Sequence, residues 1–154
     1  MAVKNGITRL EQEIKAISVR IKDVSQNAKN ARSIISSIFA NTKKYLSELD
    51  LDDTKITERY LFTSNLKELS GAILHKTVFA FRLACLIEVE KHLGIKLPII
   101  LDSPSGKEID RKNIEAMIRI LTRDFSENQI IIASIYQYDL KNVNTILIVN
   151  RLIE

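Results

Sequence analysis

Between Ile7 and Ile38 the chain repeats an apolar residue every three or four positions. Ile7, Leu10, Ile14, Ile17, Ile21, Val24, Ala28, Ala31, Ile35 and Ile38 are spaced alternately by three and four. An average period of 3.5 defines a heptad seam on one side of a helix. No proline interrupts it, and Thr42, Tyr45 and Leu49 continue the register. The pattern predicts a coiled-coil helix over residues 1–49. At 1.5 Å per residue, about 45 residues extend for roughly 65–70 Å. A helix of that length needs a partner along its seam, because helices draw their stability from packing an apolar face. Ala28 and Ala31 narrow the seam and point to close approach there.

Charge follows the same division. Residues 1–49 hold nine Lys or Arg against four Asp or Glu, whereas residues 50–154 hold fourteen against fifteen. The net charge of +4 therefore belongs to the stalk. A solvated helix face accounts for such charge; so does a stalk lying near a nucleic-acid backbone through phosphate contacts. DNA is accordingly a possible partner. Aromatic residues are 6% of the chain and tryptophan is absent, so the core is aliphatic and platforms for stacking bases are few. One cysteine, Cys85, leaves no internal disulfide, and two histidines make a histidine-built metal centre improbable. No apolar run reaches the ~18 residues of a membrane span, and Met1–Leu10 lacks a signal-peptide core. The expectation is a cytoplasmic protein with no membrane partner.

Residues 50–154 read as an α/β unit. Asp50–Thr57 is polar and aperiodic, a boundary after the long helix. A helix resumes near Lys76. Apolar residues surround it almost completely from Thr77 to His92, as in a buried helix, and Gly94 stops it. Leu97–Leu101 and Gln129–Ser134 are short isoleucine-rich runs, the pattern of strands buried on both faces of a parallel sheet. Between them, Asp110 reads as an N-cap, with Ile114, Met117, Ile118, Leu121 and Phe125 on one helical face. Strand, helix and strand make a βαβ unit. Thr145–Val149 reads as a third strand at an edge.

In an open parallel sheet, ligands sit beyond the carboxyl ends of the strands. Asp102 stands at such an end. A carboxylate after an apolar strand caps the following turn, or, as in a Walker B strand, holds the Mg²⁺ of a nucleotide. The order around it matters. Leu69-Ser70-Gly71-Ala72 precedes the buried helix, Asp102 through Asp110 follows the first strand, and Gln129–Ser134 comes one helix later. With a heptad stalk in front, this order resembles the C-terminal lobe of an SMC-like, ABC-type ATPase head with its returning coiled-coil helix. The resemblance covers essentially the whole chain.

It implies a three-layer, P-loop-NTPase-like half-head with a short, mostly parallel sheet over residues 50–154. Ser70 and Gly71 would be the signature core and bind the γ-phosphate of ATP held by an opposing head. Asp102 would be the Walker B carboxylate on Mg²⁺. Asp110, with Glu108, would form the D-loop, Glu108 standing as the water-polarising base. Ser134 would open the switch loop. Departures accompany these matches. Ala72 replaces the signature's second glycine. Ser103 stands where the catalytic glutamate normally follows Asp102. The D-loop is one residue longer than usual, and Ile135 replaces the histidine expected after Ser134.

No G-x-x-x-x-G-K-[ST] loop occurs, so no backbone cradle for the α- and β-phosphates exists in these residues. The expectation is that the chain supplies ATPase function only with a Walker A-bearing N-terminal lobe or subunit, in a head-to-head dimer serving DNA repair, chromosome organisation or genome defence. The alternative is a non-catalytic coiled-coil interaction or dimerisation module on a degenerate ATPase fold.

Overall fold

A computed structural model describes residues 2–51, 56–102, 110–134, 138, 140 and 144–146. Six elements run in order: α1 (Ala2–Glu48), α2 (Glu58–Thr63), α3 (Gly71–Leu93), β1 (Ile99–Asp102), α4 (Arg111–Asp124) and β2 (Ile130–Ala133). A single 3-10 turn at Leu66–Glu68 leads into α3.

The heptad run forms one continuous helix of 47 residues, about 70 Å long. Its seam has two environments. Every side chain from Gln12 to Ser33 is exposed, and Ile14, Ile17, Ile21 and Val24 are each more than half accessible. From Ile38 onward the same seam enters the core, where Thr42, Tyr45 and Leu49 are buried with Leu46 beside them. The stalk is thus rooted in the compact part. Tyr45, Leu46 and Leu49 share one core cluster with Leu61, Ala80, Leu83, Met117 and Leu121.

α3 starts at Gly71, five residues before the expected resumption of helix near Lys76. Gly71 has a φ of +57° and Gly94 closes the helix at +67°, both in the left-handed region that glycine adopts without a Cβ clash. Thr77, Ala80, Leu83 and Ala84 are buried against the core, and α1 is the main neighbour. The opposite side carries Leu74, Val78 and Cys85, half-buried, then Val89 and Leu93, exposed. The helix predicted to be buried all round is therefore covered on one side. Three charged residues join its covered surface. Lys76 Nζ donates to the Leu49 carbonyl at 2.6 Å, which ties α3 to the end of the stalk. Glu88 accepts from the Ser37 hydroxyl. Glu90 receives the Leu97 N–H at 2.9 Å, the Asn128 amide and the Lys96 ammonium, so it fastens the approach to β1. Burial alone would raise the Glu90 carboxyl, but these donors outweigh it and hold it below its ordinary value.

β1 and β2 pair in parallel, Ile99 opposite Ile130 through Asp102 opposite Ala133. The predicted βαβ unit is present, with α4 as the crossover. Ile114, Met117, Ile118, Leu121 and Phe125 are all buried. Neither strand, however, is buried on both faces. Ile99, Leu101 and Ile130 pack on the core, whereas Ile100 is 70% and Ile131 47% accessible. Among the described residues, only one face of the sheet has a layer against it. The third strand is not formed where it is described: Thr145 and Ile146 lie outside any strand, and Ile146 is exposed. Leu147–Val149 lie outside the described residues. The short helix α2, capped by the Thr57 hydroxyl on the Tyr60 N–H, stands where no helix was expected.

Candidate functional site

The parallel pairing puts the ends of β1 and β2 side by side. Asp102 is the last residue of β1, exposed and opposite Ala133, and Ser134 follows β2 directly. The crossover helix must run back against the strands, so its first turn lies at this same carboxyl edge. Asp102, Asp110 and Ser134 are therefore gathered along one edge by topology. Ser70 and Gly71 belong to a different element, the N-terminus of α3. Glu108 lies outside the described residues.

Each side chain has a local environment. Asp110 has extended backbone and accepts the Asn113 N–H at 2.8 Å, an N-cap of α4 as predicted. Its carboxylate satisfies an orphan donor of the first turn and favours the positive end of the helix dipole. Ser134 Oγ lies 3.0 Å from the Tyr138 hydroxyl and is half-buried. Ser70 occupies the N-cap position of α3 and is exposed, and its side chain makes no capping hydrogen bond. A Cβ built on Gly71 would meet nothing within 4 Å. The start of α3 is thus open on the side of Gly71. An exposed carboxylate at a strand end is the hard oxygen donor that Mg²⁺ takes, usually one or two per ion alongside phosphate oxygens. Asp102 fits that requirement. Among the described residues, no group of three or more His, Cys, Asp or Glu could hold a metal alone.

A second polar cluster fixes the end of α4 to the stalk. Asp124 Oδ2, at the end of α4, accepts from Lys44 Nζ at 3.3 Å and from the Tyr45 hydroxyl at 3.1 Å. Arg123 reaches the other way, to Glu48 at 2.8 Å and to Asp124 at 2.9 Å. Contacts to Arg123 hold the Asp124 carboxyl far below its ordinary range against the opposing effect of burial, and Lys44 and Tyr45 add to this. Burial and the adjacent Asp124 push the Tyr45 hydroxyl well up. The stalk residues and their α4 partners are 75 or more positions apart, which is why local pattern does not reveal the contact.

A folded pKa below the unfolded one stabilises the fold above the unfolded value, near 3.9, and that contribution is lost as pH falls through the folded value. Asp124→Asn should therefore lower Tm at pH 7, and the gap from wild type should close below about pH 4. Thermal melts across that range test it; a gap that stays constant on acidification would remove Asp124 from the account.

No helix among the described residues is long and apolar enough to cross a membrane. No family model matches the chain. The chain is similar to the Lamassu protein LmuB of Bacillus cereus (strain VD014), at 28% identity over 149 residues. The match covers 90% of this chain, which spans about a quarter (26%) of the length of LmuB.

Proposed function

We propose that residues 50–154 are the C-terminal half of an SMC-like ATPase head, with α1 as its returning coiled-coil helix. A Walker A-bearing N-terminal lobe, on the same or another polypeptide, would complete an ATP-binding and hydrolysing, DNA-associated complex. The observation that carries this reading is Asp102 at the carboxyl end of a parallel strand, with the first turn of the crossover helix and Ser134 on the same edge. In that head Asp102 would hold Mg²⁺, and Ser70 with Gly71 would bind the γ-phosphate on an opposing head. Asp110 would lie at the crossing between heads, with Glu108 and Ser134 near the attacking water. Bound Mg²⁺ would neutralise charge developing on the phosphoryl oxygens.

The uncovered apolar surfaces support the same reading. Ile100 and Ile131 on the sheet, and Val89 and Leu93 on α3, are places where a second lobe would restore burial. The likeness to LmuB, of which the chain spans a quarter, accords with one part of a larger assembly. One observation favours the non-catalytic interaction module instead: Asp110 is already engaged in capping its own helix.

The test is co-purification. A Walker A-bearing polypeptide should be retained by the tagged chain, and Ile100→Lys with Ile131→Lys should release it, because a charge buried without a partner costs several kcal/mol. A stable monomer that binds no Walker A-bearing lobe, whether a separate subunit or an N-terminal lobe supplied in trans, would sink the proposal.

A further inference from the structure

The hydroxyl of Tyr138 belongs to the same edge as Asp102 and Ser134. Ala133 ends β2 opposite Asp102, and Ser134 is the next residue. Adjacent strands lie about 4.8 Å apart, so Ser134 stands beside the end of β1. Tyr138, four residues on, has its Oη 3.0 Å from Ser134 Oγ. Both residues are half-buried, so the pair is neither fully solvated nor sealed in the core. Two hydroxyls carry two protons, and the bond between them takes one. With Ser134 as the donor, the Tyr138 oxygen accepts and keeps its own proton to give. The other described side chains gathered on this edge, Asp102 and Asp110, are carboxylates and accept hydrogen bonds. A phosphate brought to the edge needs donors, and Tyr138 supplies one without adding charge.

We propose that Tyr138 donates a hydrogen bond to a γ-phosphate oxygen of ATP during hydrolysis, with Ser134 fixing its hydroxyl. The inference rests on the half-head reading above and adds a catalytic residue to it. In the reaction the water oxygen bonds to the γ-phosphorus, and the bond to the β–γ bridging oxygen breaks to leave ADP. One water proton stays on the inorganic phosphate and the other passes to solvent. Tyr138 keeps its proton throughout. A donor held in place beforehand stabilises charge on the phosphoryl oxygens without reorganising as the bond breaks. A hydroxyl pair that only closed the turn after β2 would act differently: its loss would lower Tm and leave turnover unchanged.

Steady-state ATP hydrolysis by the chain assembled with its Walker A-bearing lobe is measured for Tyr138→Phe, Ser134→Ala and the double variant. Tyr60→Phe, which removes a hydroxyl on α2, serves as the control. Tyr138→Phe should lower kcat at least about tenfold, with KM within about twofold of wild type and Tm unchanged. Ser134→Ala should also lower kcat, and the double variant should lose less than the product of the two single losses, because the hydroxyls act as one unit. Tyr60→Phe should match wild type. Wild-type kcat in Tyr138→Phe, an equal loss in Tyr60→Phe, a rise in KM alone, or losses that multiply in the double variant overturns the inference. If Asp102→Ala abolishes hydrolysis while Tyr138→Phe leaves it intact, the inference fails and the half-head reading stands. An assembled wild-type complex that hydrolyses no ATP overturns both.

Discussion

Replacing Asp102 by alanine is expected to reduce ATP hydrolysis by the completed head at least about a hundredfold. The magnitude follows from removing a preorganised group that acts on charge developing in a phosphoryl-transfer transition state. Asp102 ends β1 and is exposed, so its loss leaves no buried cavity. Assembly and thermal stability should stay near wild type while the rate falls. That separation identifies a site residue, because a structural residue would move both. A steady-state ATPase assay on the assembled complex, with Tm recorded alongside, provides the check. An Asp102→Ala complex that hydrolyses ATP at the wild-type rate would remove Asp102 from the proposed Mg²⁺ role.

Leu46→Ala has the largest expected effect on stability. Leu46 is fully buried and belongs to the cluster that joins the root of the stalk to α3 and α4. Removing its isobutyl group forfeits transfer free energy and leaves a cavity, a loss of about 2–5 kcal/mol. For a chain of 154 residues this lowers Tm by roughly 5–15 °C. Ile17→Ala, on the exposed part of the same helix, should change the Tm of the isolated chain far less. Thermal melts of the two variants test the division of α1 into a free arm and a packed root. Equal losses would contradict it.

Periodicity carried much of the fold. The seam predicted α1, the Ile114–Phe125 face predicted α4, Asp110 predicted its cap and Gly94 the end of α3. Strand–helix–strand order correctly placed Asp102 beside the end of β2, since two parallel strands joined by one crossover have little choice of arrangement. Other features depend on contacts far apart in sequence. An isoleucine run does not say whether one or both faces will be covered; Ile100 and Ile131 read as buried and are open. Lys76, Glu88 and Glu90 interrupt an otherwise apolar helix, yet they are buried because Lys76 donates to the Leu49 carbonyl while Ser37, Leu97 and Asn128 donate to the two glutamates. The Asp124 clamp needs α1 and α4 to meet. α2 has six residues, too few to display a period. Of the site residues, Glu108 lies outside the described residues, and the reading of Ser70 and Gly71 rests on motif order alone.

If this chain supplies half of an ATPase head, neither half should work alone. ATP hydrolysis is measured for the chain, for a co-purifying Walker A-bearing polypeptide, and for the two together. Negligible hydrolysis by either component and robust hydrolysis by the mixture are expected, abolished by Asp102→Ala and by Ser70→Arg. A mixture no more active than its parts, with the two polypeptides stably bound, would contradict the catalytic half-head and leave the interaction module.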